Sequence, residues 1–216
     1  MTAKERERLS RAQRLVVKIG SNALCHPSGE LDQEVLSSLA EEISQLAETK
    51  KRTILVTSGA VKIGLHKLGQ SRAKDLPTRQ AAAAVGQSEL LSSYHRAFSA
   101  HGMPVAQILL TQAELSDFKR YLHLSNALDA LISRHNAVPI LNENDPVSAA
   151  GVEIGENDRL AALVASKINA DLLVLLSDVD GLYTSDPNKD PDARFIPVVE
   201  IVNQEIYALA AETSSF

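Results

Sequence analysis

Cysteine occurs once in the 216 residues, as Cys25, so no intrachain disulfide can form, and nothing near it has metal-ligand spacing. An intracellular, reducing compartment is the expectation, with Cys25 an ordinary loop residue. No apolar run approaches the ~18 residues of a membrane span. The opening MTAKERERLSRAQR is charged where a secretory signal needs an apolar centre. These absences lead us to expect a cytoplasmic protein with no membrane partner, its residues 1–13 a charged leader. Nor is there a block of like charge: 22 basic against 27 acidic side chains leave a net charge of -5, which argues against nucleic acid. A GxxxxGK[ST] phosphate loop is missing, as is a GxGxxG turn after the first apolar run, which removes P-loop NTPases and dinucleotide-binding folds. The six histidines, at 26, 66, 95, 101, 123 and 135, have no spacing that pairs them on one helix face, so no protein-held metal is expected.

What is present is a chain with 44% hydrophobic side chains, long enough for one substantial core. Short apolar runs at 15–19, 53–57, 105–110, 137–142 and 172–176 are rich in Val, Ile and Leu with little polar alternation, as in strands covered on both faces. Between them lie stretches of helical period. Val35, Leu39, Ile43 and Leu46 mark one over 32–50; Ala82, Val85, Leu90, Ala97 and Phe98 mark another over 79–101. Leu124, Leu128, Leu131 and Ile132 mark a third over 121–135, and 157–169 reads as a further helix with Glu156 or Asn157 near its start. The alternation predicts an α/β fold, a three-layer αβα sandwich with a mostly parallel sheet. Residues 184–197, with three prolines, read as a loop or a set of turns, long enough to be functional.

Four polar segments follow directly on the apolar runs, which gathers them at the carboxyl edge of the sheet, where open α/β sheets receive ligands. Lys18, Gly20 and Ser21 end the first run; a lysine there reaches phosphate oxygens and a glycine lets the backbone approach them, although a lysine snorkelling beside a turn glycine fits equally. Ser58 and Gly59 form a small-residue turn that exposes backbone N–H groups to an anion. A nucleophilic serine is disfavoured, because Val56 stands where the nucleophile elbow needs glycine. Asn142, Glu143, Asn144 and Asp145 could hold a cationic ligand group or merely turn the chain. Gly155, Glu156, Asn157 and Asp158 enter the last large helix and could be ordinary caps. Ser177 and Asp178 follow the most hydrophobic run, at the same edge.

Taken in order, VVKIGSNAL, ILVTSGAVKIG, AAVGQSELL, QILLT, PILNENDPV, GENDRLAALVA and LLSDVDGLYTSDP resemble the successive signatures of the amino acid kinase family, over nearly all of residues 14–216. The match is nearest to those members that phosphorylate L-glutamate. The resemblance implies an amino acid kinase-like fold and transfer of the γ-phosphoryl group of ATP to the glutamate side-chain carboxylate, the first step toward proline. It further implies that Lys18 contacts the transferring group and Asp158 orients Lys18, with Gly20 and Ser21 shaping the phosphate turn. Ser58, Gly59, Asn142, Asp145 and Asn157 would hold glutamate, and Ser177 and Asp178 would face the nucleotide. Mg2+ would be bound mainly through the ATP phosphates. By the same resemblance come a homodimer or homotetramer, feedback inhibition by proline, and a downstream glutamyl phosphate reductase. The family continues with a glycine-rich segment of the form GTGGMxTK where this chain ends at Thr213, Ser214, Ser215 and Phe216. A kinase domain over 14–216 is thus expected to be incomplete at its C-terminus, lacking that segment, the last strands and the RNA-binding-like domain of many members. Relatives acting on acetylglutamate, aspartate, carbamate or uridine monophosphate are the nearest alternatives, and a catalytically dead glutamate-binding regulatory module is the alternative of another class.

Overall fold

All five apolar runs become strands of one parallel sheet: β1 (Arg14–Ile19), β2 (Arg52–Thr57), β3 (Val105–Leu110), β4 (Val138–Glu143) and β5 (Leu172–Leu176), in the order β3-β4-β2-β1-β5. In this computed structural model, residue 7 and residues 9–148 and 157–212 are described. Gly155, Glu156 and residues 149–154, which include most of the segment PVSAAGVEI, lie outside the described residues, as do Thr213–Phe216. The sheet belongs to a unit formed by Arg11–Asp178.

Helices α1 (Ser21–Leu24), α2 (Gln33–Glu48), α3 (Ala60–Lys67) and α4 (Leu76–Ser99) follow β1 and β2. Helices α5 (Gln112–Ser116), α6 (Phe118–Arg134) and α7 (Asn157–Lys167) follow β3 and β4. From β1 to β3 the chain travels one way across the sheet, and from β3 to β5 it returns. Because parallel crossovers are right-handed, that reversal moves the helices from one face to the other. The core accordingly has two halves. Val17, Ile19, Leu55 and Ile140 pack under α1–α4 with Leu36, Leu39, Ile43, Leu90, Tyr94 and Phe98. Val16, Ile54, Val56 and Leu141 pack under α5–α7 with Leu115, Leu128, Ile132, Ala161 and Val164. The expected three-layer arrangement is the one observed.

Helix starts follow their caps. Asp32 accepts from the N–H groups of Glu34 and Val35, Asp75 from that of Thr78, and Thr111 forms a reciprocal capping box with Glu114. Three side-chain expectations need correction. Val85, placed on the core face of α4, is 39% exposed, and that helix buries Gln87 and Tyr94 instead. Leu175 of β5 is 52% exposed, because an edge strand lacks a neighbour to extend the covering layer. Cys25 is buried in the core; burial pushes its thiol up to about 11, with the Lys62 charge a smaller, opposing influence. No helix among the described residues is long and apolar enough to cross a membrane.

A second unit comprises the described residues up to Ser10 and from Val179 onward. It contains a short antiparallel pair, β6 (Leu182–Tyr183) and β7 (Phe195–Ile196), and helix α8 (Gln204–Glu212). The proline-bearing stretch is therefore not wholly loop. Its turns, tied by Ser185 to Asp190 at 2.6 Å, return the chain as β7, and the Phe195 ring meets Tyr183 edge-on at 5.5 Å.

Helices α3 and α4 cross in contact at two glycines. A Cβ on Gly64 would stand 1.7 Å from the Ala82 carbonyl oxygen, and one on Gly86 would stand 1.8 Å from that of Ala60. Backbone, not flexible side chain, fills the space. Alanine normally gains ~1 kcal/mol over glycine inside a helix, but here the clash outweighs it. Gly86→Ala is predicted to lower stability by about 3 kcal/mol, the upper end of overpacking costs, as read by urea denaturation. A thiol that is buried and protonated at pH 8 should react slowly with a disulfide reagent in the native protein and at once after unfolding; fast native reaction would contradict the burial of Cys25.

Candidate active site

The carboxyl ends of β1, β2, β4 and β5 surround a cleft of about 450 Å³, a size suited to a small ligand. Lys18 shares a sheet face with Val16, two residues earlier, and so points toward the layer in which α7 begins. Its ammonium lies 2.7 Å from Asp158 Oδ1, with the lysine side chain 12% exposed and the aspartate 49%. An ion pair with one partner half in water adds at most ~1 kcal/mol of stability, so its structural effect is to aim the lysine. Lys18 is thus neither free nor snorkelling into solvent.

Gly20 links the sheet at this end, its N–H donating to the Leu176 carbonyl at 3.2 Å. Its backbone is ordinary extended chain, and a Cβ would lie 3.4 Å from Lys18 Nζ, an ordinary contact, so neither conformation nor packing requires glycine at this position. Ser21 opens α1 and lines the cleft. After β2, Ser58 leads into Gly59, whose φ of 103° is left-handed and favours glycine. The turn delivers the chain into α3, whose first N–H groups have no carbonyl one turn earlier and face a favourable end of the helix dipole for an anion.

Asn157 is not a conventional cap. Its Nδ2 lies 2.6 Å from the Thr57 carbonyl oxygen, 2.9 Å from Ser58 Oγ and 2.9 Å from Asn142 Oδ1, tying the start of α7 to the ends of β2 and β4. Asn142, 2% exposed, donates in turn to Gln87 Oε1 at 2.8 Å. Asn157 Oδ1 is buried and has no hydrogen-bond partner among the described residues.

Asp145 is mostly buried. Burial raises its pKa, the neighbouring Glu143 charge raises it further, and Arg79, 4.0 Å away, opposes both. Asp178 behaves oppositely: hydrogen bonds from its own backbone N–H, from Ser177 and from Asn22 hold its carboxyl below the usual range. The cleft brings together Lys18, Gly20, Ser21, Ser58, Gly59, Asn142, Glu143, Asp145, Asn157, Asp158, Ser177 and Asp178. Asn144 does not line it; its backbone carbonyl instead accepts from the N–H groups of Val147 and Ser148 and closes the turn. The cleft also contains Asn22, Lys62 and Arg79, which sequence reasoning missed. Lys62 is two residues past the Ala60 turn and could have been found by following the first turn of α3. Arg79 carried no local signal, since what places it is the packing of α4. With cations at Lys18, Lys62 and Arg79 and a buried carboxylate at Asp145, the cleft can neutralise anionic groups and still hold an ammonium.

A model of the amino acid kinase family matches residues 13–212. Among curated relatives, proteins named glutamate 5-kinase from Myxococcus xanthus and Paramagnetospirillum magneticum are 44% and 46% identical over 97% and 96% of this chain. The chain spans about half the length of these relatives, 55% and 56%. A protein of the same name from Clostridium acetobutylicum is 44% identical over 96% of the chain, which covers 78% of it. Among solved structures, an isopentenyl phosphate kinase superposes with a TM-score of 0.60 at 19% identity, covering 92% of this chain and 88% of that one, a likeness of fold.

Because the folded-state pKa of Asp145 is raised, its favourable contribution is complete below the unfolded value near 3.9 and is lost as pH rises through the folded value; at neutral pH its charge is a net cost. Asp145→Asn should therefore raise the melting temperature at pH 7, as read by thermal denaturation, and the gain should shrink as pH falls toward the unfolded value. A lowered melting temperature would show that the Arg79 pairing outweighs desolvation.

Proposed function

From the premise that this chain belongs to the amino acid kinase family, we propose that it transfers the γ-phosphoryl group of ATP to the side-chain carboxylate of L-glutamate. The observation that carries this reading is the pairing of Lys18 with Asp158 one residue beyond Asn157, which binds Ser58, in the same cleft as Asp145. A cation for a phosphoryl group, an anion-binding turn and an ammonium-binding carboxylate stand together. The identity of 44–46% to proteins named glutamate 5-kinase supports the choice of amino acid.

In this reading Ser58 and the first N–H groups of α3 hold the reacting carboxylate beside Lys18. A carboxylate of reference pKa about 4.3 is already ionised at neutral pH, so no general base is needed. One carboxylate oxygen forms a bond to the γ-phosphorus as the bond to the β,γ-bridging oxygen breaks; ADP leaves, an acyl phosphate results and no proton moves. Such a reaction asks the protein mainly for positioning and charge neutralisation. Lys18 offsets the repulsion between the two anions, and Asp158 keeps its ammonium aimed rather than acting as a base. Gly20 and Ser21 shape the phosphate turn, while Ser177 and Asp178 face the nucleotide. Hard carboxylate oxygens at Asp158 and Asp178 suit Mg2+ carried on the ATP phosphates, which supplies further charge neutralisation. At the other end, Asp145 accepts from the substrate ammonium. The reading also brings a cytoplasmic homo-oligomer, inhibition by proline and a reductase that consumes the labile product.

The test is a substrate panel with MgATP and hydroxylamine to trap acyl phosphate, run on the 216-residue chain and on a form extended to the length of its relatives. Trapped product from glutamate, and not from acetylglutamate, aspartate, carbamate or uridine monophosphate, is expected. Silence from both forms, with glutamate still bound in calorimetry, would instead identify a binding module. Lys18→Ala should lower kcat by about 10²–10³-fold, as loss of one charge-stabilising donor does, while changing the KM for glutamate less than about threefold. The reverse pattern would remove Lys18 from the transfer step.

A further inference from the structure

Two cations of the cleft, Lys62 and Arg79, have no part in the transfer step. They are differently engaged. Lys62 Nζ is directed to the Cys25 carbonyl at 3.4 Å. Arg79, in the second turn of α4, faces Asp145 across 4.0 Å, beyond hydrogen-bond length. The neighbouring Gln80 reaches the Ser148 carbonyl at 3.5 Å, so the start of α4 and the turn carrying Asp145 are held in register from both sides. Both charges are partly withdrawn from water, with side-chain exposures of 32% for Arg79 and 18% for Asp145.

An opposite pair that is close but not joined is complementary to a ligand carrying the opposite charges on one carbon. A free α-amino acid has that head: an ammonium and a carboxylate on the same Cα. Its ammonium can meet Asp145 and its carboxylate the guanidinium, whose planar fork matches a carboxylate bidentately. Each protein charge then exchanges a loose partner for a close one. We propose that Arg79 is a specificity-determining residue that takes the α-carboxylate of the substrate while Asp145 takes its ammonium. This rests on the glutamate reading above and adds how the free amino acid is told from its derivatives. An N-acylated amino acid offers no ammonium to Asp145, and an α-amide offers no carboxylate to Arg79. Sites that bury a charge discriminate strongly against ligands that leave it unpaired.

The experiment is calorimetric titration of the 216-residue chain with L-glutamate and with its α-amide, in which a carboxamide replaces the α-carboxylate alone. Wild-type protein is expected to bind glutamate about 10–100-fold more tightly, the range for loss of one charged hydrogen-bonded contact. In Arg79→Met the two affinities should fall within about twofold of each other through weaker glutamate binding alone, with the α-amide changed less than about threefold. Arg79→Lys should restore part of the preference. Retention of the full preference by Arg79→Met would overturn the assignment, as would its loss in Lys62→Met instead. Equal weakening of both ligands would also overturn it, showing that Arg79 acts only through Asp145 or the fold. Absence of glutamate binding in wild-type protein, in both the 216-residue and the extended chain, would instead sink the underlying reading.

Discussion

The side-chain amide of Asn157 is the contact on which the arrangement of the cleft depends. The Thr57 carbonyl, where the β2 ladder ends, would otherwise be a buried acceptor in need of a partner; Asn157 supplies one. The same nitrogen reaches Ser58 and Asn142, and Asn142 continues to Gln87 of α4. A line of amides thus runs from one helical layer through the sheet to the other. Because Asp158 is the next residue, the turn of α7 that is held by these bonds also presents the carboxylate to Lys18. A half-exposed ion pair could not fix that geometry by itself, but a buried, mutually bonded network can.

The other rigid part is the close crossing of α3 and α4. Backbone meets backbone at Gly64 and Gly86, so the Ser58–Gly59 turn enters a helix that cannot shift without disturbing α4. Asp145 and Arg79 stand across the cleft from one another on different segments, one leaving β4 and the other entering α4. Burial raises the energy of the Asp145 charge, and the protein accepts that cost at the site where a ligand charge can offset it.

The likeness to isopentenyl phosphate kinase at 19% identity concerns the sheet and its helical layers, a framework that accommodates differing ligands. On that framework this chain mounts two pairs of opposite charge. Lys18 and Asp158 form a close ion pair at one place in the cleft, and Asp145 with Arg79 forms a looser pair of opposite charge at another. The second unit, with its β6–β7 pair and the α8 helix, is built from turns and exposed apolar side chains such as Phe195, Ile201 and Tyr207.

Much was legible in the sequence because it is local. Runs such as LVVKI and LLVLL specify strands by composition, apolar residues three and four apart over 32–50 specify a helix, and polar segments after strands must gather at one edge of a parallel sheet. Tertiary structure decided what depends on partners distant in the chain. Periodicity showed that 79–101 is a helix but not which side it buries: Val85 faces out, while Gln87 and Tyr94 face in to Asn142 and Thr57. Asn157 had the look of a cap until strand order put Thr57 and Asn142 within its reach. Arg79 had no signature at all, because a charge on the first turns of a helix is usually solvated; only the packing of α4 against the end of β4 sets it opposite Asp145. Local propensity acts over a few bonds, whereas a site is made by side chains whose distances are set by the order in which strands and helices pack.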